Sequence, residues 1–214
     1  MFIARAVEMR GAVPFPDGGS LLYPTPESPA IYSQKHPDRI KKFPPQPIAF
    51  QVSAHGGNQK WRHELDHDAE SVYWLLVYWA MTAQPTQRPR EDIEHTMWSI
   101  LTETAATRGA LVGGLSRGEW KLMHSFYAPL HSLIVDLARI LAVDRHWLEE
   151  SNPRNDPAYV GEAFQRLILK FILSNRNKAF MVHQTEIEFR KVKRIPAAPG
   201  MSETKSEAKN VGEE

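Results

Sequence analysis

An H-E-x-x-H pattern stands at His63, Glu64 and His67, within the stretch Arg-His-Glu-Leu-Asp-His. If this pattern lies on a helix, the two imidazoles face the same side and can reach one Zn²⁺. The glutamate between them would then act as general base on the metal-bound water, as in a zinc hydrolase. A catalytic zinc also needs a third protein ligand and an open fourth position. Three side chains are candidates for that third ligand: Glu70, Glu94 and His95.

The residues around this pattern favour a polar surface over a zinc site. Residues 62–68 are polar at six of seven positions, and the apolar stretch begins only at Ala69. A metal site is usually enclosed by an apolar shell, which this stretch does not offer. The sequence therefore predicts that both histidines lie on an exposed approach to a helix, and that no metal is bound.

Composition and charge narrow the class of protein. The 214 residues are enough for one domain with a core, and 26 basic against 25 acidic side chains predict no attraction to nucleic acid or to membranes. The absence of cysteine excludes a disulfide scaffold and cysteine-based catalysis.

The longest apolar run, residues 72–81, is shorter than the ~18 residues that span a bilayer, and the charged N-terminus does not resemble a signal peptide. We expect an intracellular protein, cytoplasmic or nuclear. The basic run at 190–194 is interpreted as solvated surface rather than as a nuclear-import signal.

Prolines are concentrated in the part of the chain before residue 48. Nine of the 16 prolines lie before that point, and each removes a backbone donor and restricts the preceding residue. Residues 9–47 are therefore predicted to form an extended loop, and 47–52 a short strand. Apolar side chains are expected to anchor the loop: Phe15, Leu21, Leu22, Tyr23, Ile31, Tyr32 and Phe43.

Helical periodicity dominates the rest of the chain. Residues 72–81 have no polar side, so a helix over 69–82 is predicted to be buried all round at the centre of the domain. Its expected core residues are Trp74, Leu75, Leu76 and Tyr78. Apolar spacing predicts further helices over 90–106 and 128–143. A last helix is predicted to begin with Asp156 as its N-cap and Pro157 at its first position, and to end near Asn175.

These signals predict a mainly α fold in three regions. Residues 1–65 form the Pro-rich extended region, 66–189 the helical core, and 190–214 a tail that is expected to be disordered because it has almost nothing to bury.

The stretch ELDHDAESVYWLLVYWAM, residues 64–81, resembles the fungal-type protein kinases, a divergent branch of the protein kinase superfamily. In that branch a His-Asp-x-Glu-Ser motif opens the long buried helix of the C-terminal lobe, and His67, Asp68, Glu70 and Ser71 match it. Residues 157–172 resemble the family's last helix, and MFIARAVE at the N-terminus resembles the end of the activation segment. The resemblance implies a kinase C-lobe-like fold in which Asp68 bonds to the catalytic-loop backbone, a structural role. It also implies that the zinc pattern is a coincidence at the polar entry to the helix.

The motifs that carry phosphoryl transfer are missing from this sequence. It contains no G-x-G-x-x-G loop, no V-A-I-K strand, no H-R-D catalytic loop and no D-F-G metal site. Ala4-Arg5-Ala6 stands where the family has Ala-Pro-Glu, so the structural glutamate of that motif is absent. We therefore predict no catalytic residue and no cofactor, although the family uses ATP and Mg²⁺.

Four interpretations remain open. The chain is a truncated or degenerate kinase-like module that at most binds an unknown protein partner, or it is the C-terminal part of an active Ser/Thr kinase whose motifs lie upstream. The third interpretation is a zinc hydrolase that uses His63, Glu64 and His67. The fourth is an all-α domain with no further function.

Overall fold

The chain folds mainly into α-helices. A computed structural model describes residues 4–5, 8, 29–43, 65–118, 122–142, 152–181 and 187–193. Within these ranges there are seven α-helices: α1 (Pro29–Lys35), α2 (Pro37–Lys42), α3 (Leu65–Thr82), α4 (His95–Thr102), α5 (Ala105–Ser116), α6 (Leu130–Leu141) and α7 (Tyr159–Asn175). Two short strands, β1 (Ala83–Pro85) and β2 (Ile187–Phe189), form one antiparallel pair. The predicted mainly α fold class is confirmed.

The core lies between α3, α5, α6 and α7. Each of these helices contributes buried apolar side chains, for example Trp74, Leu111, Ile134 and Phe164. Helix α6 packs against α5 and α7, and α3 packs against α6 and α7. None of the helices in the described ranges is long and apolar enough to cross a membrane.

Helix α3 is buried on one side only. Its buried side chains recur every three or four residues, which places them on one side of the helix. They are His67, Glu70, Tyr73, Trp74, Val77, Ala80, Met81 and Thr82. Trp74 is fully buried as predicted, but Leu76 and Tyr78 are half-buried and Leu75 is 56% exposed. The prediction of burial all round is therefore wrong, because the neighbouring helices cover only one side of α3.

The predicted helix over 90–106 is two helices. Ile93 precedes α4 and pairs with Val192 in an isolated β-bridge. Between α4 and α5, Thr104 takes an extended conformation and forms a reciprocal capping box with Thr107. Since each threonine satisfies a backbone N–H of the other, a new helix starts at Ala105. The apolar spacing missed this break, and α5 was not predicted.

Helices α6 and α7 match their predictions except at one end. The predicted helix over 128–143 is α6, and α7 ends at Asn175 as expected. The predicted N-cap of α7 is wrong, because Ala158 occupies that position. Asp156 instead accepts a hydrogen bond from the Ala158 backbone N–H at 2.8 Å, which forms a turn before the helix.

The Pro-rich region contains two short helices where an extended loop was predicted. Proline tolerates the first turn of a helix, where no intrahelical N–H bond is needed, and Pro29 and Pro37 open α1 and α2. The extended-loop prediction is therefore wrong for 29–43. The rest of 9–47 and the predicted strand at 47–52 lie outside the described residues.

The predicted disordered tail begins too early. Strand β2 pairs with β1 in the register Ala83–Phe189, and the Arg190 N–H donates to the Thr82 carbonyl at 2.7 Å. The Lys193 N–H donates to the Ile93 carbonyl at 2.9 Å. Residues 190–193 are thus part of the fold, and 194–214 lie outside the described residues.

Candidate functional site around helix α3

The zinc pattern is only partly described. His63 and Glu64 lie outside the described residues, whereas His67 is 3% exposed and faces the core. The prediction that His67 lies on an exposed approach is wrong, because it falls on the buried side of α3. Its Nε2 lies 4.0 Å from a carboxylate oxygen of Asp66. Among the described residues no group of three or more His, Cys, Asp or Glu side chains could hold a metal ion.

Two of the three candidate third ligands have other partners. The Glu70 carboxylate forms a buried ion pair with Arg5. The exposed Glu94 carboxylate pairs with Lys193. His95 is the exposed first residue of α4. The expectation that no metal is bound stays a prediction.

The His-Asp-x-Glu-Ser motif is divided between the two sides of α3. His67 and Glu70, three residues apart, both face the core. Asp68 lies on the exposed side. The Ser71 hydroxyl donates to the His67 carbonyl at 2.9 Å, within the helix. The motif thus contributes one buried carboxylate and one exposed carboxylate.

Glu70 is the acceptor of a buried hydrogen-bond cluster. Its Oε1 accepts from Arg5 Nε at 2.6 Å, from the Arg5 backbone N–H at 3.1 Å and from Trp74 Nε1 at 3.0 Å. Both charged side chains are almost fully enclosed, with 4% of the Arg5 side chain and 6% of the Glu70 side chain exposed. Sequence reasoning named Glu70 as a motif residue but missed its partner. The unexpected arginine in Ala-Arg-Ala was the available signal.

Two ion pairs attach Arg5 and Glu8 to the helical core. Arg5 supplies the cation of the first pair, and Glu8 supplies the anion of the second. Arg5 also donates to the Leu141 carbonyl at 2.9 Å, at the C-terminal end of α6, where carbonyls lack helical partners. Glu8 forms an ion pair with Arg108 and accepts from the Ala105 backbone N–H at 2.8 Å, at the start of α5. A carboxylate at this position also complements the helix dipole. Arg5 and Glu8 therefore bridge α3, α5 and α6.

Tyr73 lies beside this cluster with an unsatisfied hydroxyl. The residue is fully buried, and its hydroxyl has no hydrogen-bond partner among the described residues. Burial raises the pKa of this tyrosine above its ordinary value; the nearby Arg5 opposes the shift, and Glu70 adds to it. A buried polar group without a partner costs free energy.

Replacing Tyr73 with Phe is therefore expected to raise the free energy of unfolding by about 1 kcal/mol at neutral pH. Because burial raises the pKa of Tyr73 in the folded state, the wild-type free energy of unfolding should fall as pH rises above about 10. Above that pH this tyrosine ionises in the unfolded chain but not in the folded one. Urea denaturation at pH 7 and pH 10.5 should show a smaller alkaline loss for the variant. A destabilised Tyr73→Phe variant at pH 7 would mean that the hydroxyl has an acceptor.

The other side of α3 is apolar and exposed. Leu65, Val72 and Leu75 are 63%, 55% and 56% exposed. Their separations of seven and three residues place them on one side of the helix, and Asp68 falls between them on that side. We call these four residues the outer face of α3. It combines a large exposed apolar surface with the motif's exposed carboxylate.

Ser125, His124 and Glu91 also lie close together near the loop after β1. Their hydrogen bonds do not form the Ser–His pair that would activate a serine nucleophile. The Ser125 hydroxyl donates to Glu91, while His124 Nε2 lies 2.9 Å from the Pro89 carbonyl. The other ring nitrogen of His124 accepts from the Phe126 backbone N–H at 3.0 Å. A nucleophilic serine needs a base that accepts its proton. Here both imidazole nitrogens are engaged by backbone groups, so neither accepts from the Ser125 hydroxyl, which donates to Glu91.

The basic run at 190–194 is not simply solvated surface. The half-buried Arg190 side chain donates to four backbone carbonyls: Glu91 at 2.6 Å, Asp92 at 2.9 Å, Met81 at 3.0 Å and Leu122 at 3.1 Å. Burial lowers its pKa, and the charges of Glu91 and Asp92 oppose that shift. The interpretation as solvated surface is wrong for Arg190, which joins the end of α3 to two loops.

Comparisons with protein-family models, with curated proteins and with solved structures returned no match. The kinase resemblance therefore rests on the sequence motifs alone.

Proposed function

We propose that this chain is a kinase C-lobe-like helical module without phosphotransfer machinery, and that any function it retains is protein binding through the outer face of α3. The sequence motif supports this proposal at residues 64–81. The buried core of α3, α6 and α7 is compatible with it.

The exposure of Asp68, Val72 and Leu75 is the observation that carries the proposal. In the family that the sequence resembles, the aspartate at this position bonds to the catalytic-loop backbone. Here it lies on the exposed side of a helix whose 72–81 run is entirely apolar. Exposed large apolar side chains on one face often mark a binding surface. The face is thus suited to a polypeptide segment that supplies apolar side chains.

Millimolar ATP with Mg²⁺ is expected to leave the melting temperature unchanged. Nucleotide affinity in kinases comes from the Gly-rich loop, the strand lysine and the metal-binding Asp and Asn, and none of their motifs is present in this sequence. A ligand that binds only the folded state stabilises it by about 2.7 kcal/mol at a hundredfold excess over its dissociation constant. Differential scanning fluorimetry would detect such a shift in a domain of this size.

Tripolyphosphate with Mg²⁺ serves as the matched control for nonspecific anion binding. A shift with ATP but not with tripolyphosphate, together with transfer of labelled phosphate to a generic acceptor protein, would contradict the proposal. This chain would then carry out phosphoryl transfer with residues outside the known motifs.

The alternative, the C-terminal part of an active Ser/Thr kinase, shares this fold and differs only in what precedes Met1. The exposed outer face of α3 favours it as well, because an upstream segment would find an apolar surface there. Genomic sequence upstream of the start codon that encodes H-R-D and D-F-G in frame would favour this alternative. Its absence would favour the isolated module.

A further inference from the structure

The helix pair α1–α2 buries little apolar surface against the rest of the described chain. Its helices have 7 and 6 residues, and helices shorter than about 12 residues are not stable by themselves. Of the side chains described in 31–43, only Phe43 is buried, and Ile31 is 57% exposed. The Phe43 ring packs edge-on against Tyr159 of α7, with 5.7 Å between the ring centroids. Apolar burial therefore supplies one anchor for the pair, next to α7.

Polar contacts with one carboxylate of α7 provide a second attachment. Glu162 is 5% exposed, and it accepts hydrogen bonds from the Tyr32 hydroxyl of α1 and from Arg39 Nη1 of α2, the latter at 3.2 Å. Its third donor is Arg166 Nε at 2.8 Å, one turn further along α7. One buried carboxylate thus contacts both helices of the pair.

The guanidinium of Arg166 adds contacts of the opposite kind. It is 3% exposed and donates to the Phe43 carbonyl at 2.8 Å and to the Arg39 carbonyl at 3.3 Å. Carbonyls at the end of a helix are short of helical donors, so these bonds cap α2. The guanidinium also lies over the Tyr32 ring, 5.3 Å from its centroid. Neighbouring charges of α7 therefore bind the donors and the acceptors of the pair.

The ion pair between Lys42 and Asp156 is a more exposed contact. Its two charged atoms are 2.5 Å apart, but 54% of the lysine side chain and 28% of the aspartate side chain are exposed. Exposed pairs contribute little to stability and are screened by salt. Without the contacts at Glu162, α1 and α2 would therefore be weakly held. Helix α7 would keep its buried apolar side chains, such as Phe164 and Phe171.

We propose that the helix pair α1–α2 is a lid over the first two turns of α7, that it opens while the rest of the core stays folded, and that Glu162 is its latch. Elements with few buried apolar contacts open at lower free energies than the core of a domain. Opening would make a neighbouring carboxylate and guanidinium of α7, those of Glu162 and Arg166, accessible to solvent. This inference depends neither on the kinase resemblance nor on the outer face of α3.

Hydrogen exchange of the full-length chain tests whether the lid opens by itself. The backbone N–H groups of His36, Ile40 and Phe43 are hydrogen-bonded within the lid, and those of α6 report on the core. We expect the lid amides to be protected but to exchange roughly 100-fold faster than the α6 amides. Their exchange should also respond little to low urea concentrations, because a local opening exposes little surface.

Two results of this experiment would refute the lid. Exchange of the lid amides at the rate and with the urea dependence of the α6 amides would mean that lid and core open together. Lid amides that exchange as fast as those of an unfolded chain would mean that Glu162 does not hold the pair closed.

Tyr32→Phe tests the latch, because it removes only the hydroxyl that donates to Glu162. A hydrogen bond to a charged group is worth about a tenfold change in an opening equilibrium, so the lid amides should exchange roughly tenfold faster. The α6 amides should keep their wild-type rates, since the substitution leaves the core unchanged. Wild-type exchange in the lid, or an equal acceleration in α6, would overturn the proposal.

Arg39→Ala and Lys41→Ala form a matched pair in α2. Each removes one exposed cation, but only Arg39 contacts Glu162, and Lys41 forms no hydrogen bond or ion pair with the described residues. We expect about threefold faster exchange of the lid amides for Arg39→Ala, since its ion pair is half exposed, and no change for Lys41→Ala. Equal exchange in the two variants would mean that Glu162 is not the latch, and the proposal would fail.

Discussion

Glu70→Ala is expected to lower the free energy of unfolding by roughly 3–5 kcal/mol, the range for removing one partner of a buried ion pair. The substitution leaves the Arg5 guanidinium enclosed without its carboxylate, and it removes the acceptor of the Trp74 indole N–H. Urea denaturation followed by circular dichroism would measure the loss. The chain should also become more susceptible to proteolysis near Arg5, since that residue loses its main anchor.

Glu94→Ala provides the matched control for this experiment. It also removes a glutamate from an ion pair, with Lys193, but both side chains are more than half exposed. Surface pairs contribute about 0–1 kcal/mol, so this variant should be close to wild type. If Glu70→Ala costs no more than Glu94→Ala, the N-terminal segment is not bound to α3 in the way described.

Val77→Asp is expected to destabilise the chain by several kcal/mol and to prevent stable folding if the wild-type margin is small. Val77 is fully buried on the core side of α3, where a carboxylate has neither water nor a partner. Leu75→Asp, two residues earlier on the same helix, should cost less than about 1 kcal/mol because that position is 56% exposed.

Chemical denaturation of these two variants would measure the two changes in the free energy of unfolding. The contrast between positions 75 and 77 is the informative quantity, because both variants lose an apolar side chain and gain the same charge in one helix. A similar loss for both would mean that α3 is buried all round, as the apolar run alone suggested. If both variants were about as stable as wild type, Val77 would not lie on the core side of α3.

Local signals predicted the helices that are amphipathic by themselves. Leu130, Leu133 and Leu137 recur at helical spacing, and α6 forms there with these side chains inward. The run at 72–81 indicated a core helix, but it has no polar side from which an orientation could be read. Asp68 and Leu75 show the result: which side of α3 is exposed depends on where α6 and α7 pack, and that information is not local.

The candidate site depends on contacts between residues far apart in the chain. Arg5 and Glu70 are separated by 65 positions, and Arg190 reaches carbonyls about a hundred positions away. Residue types at these positions gave no distance information, so nothing in the sequence linked them. The Thr104–Thr107 capping box was a local signal, but threonines at this spacing are also common inside loops. The H-E-x-x-H pattern at 63–67 was a local signal as well. However, His67, its histidine within the described residues, lies on the buried side of α3.

The order of charges in the N-terminal segment has a consequence for recognition. Arg5 meets an acidic residue on α3, and Glu8 meets a basic residue on α5. A segment running in the opposite direction would place carboxylate against carboxylate and guanidinium against guanidinium. The two ion pairs therefore favour binding of this segment in one direction and disfavour the reverse. This selectivity does not depend on whether the segment is covalently connected to the helices that it binds.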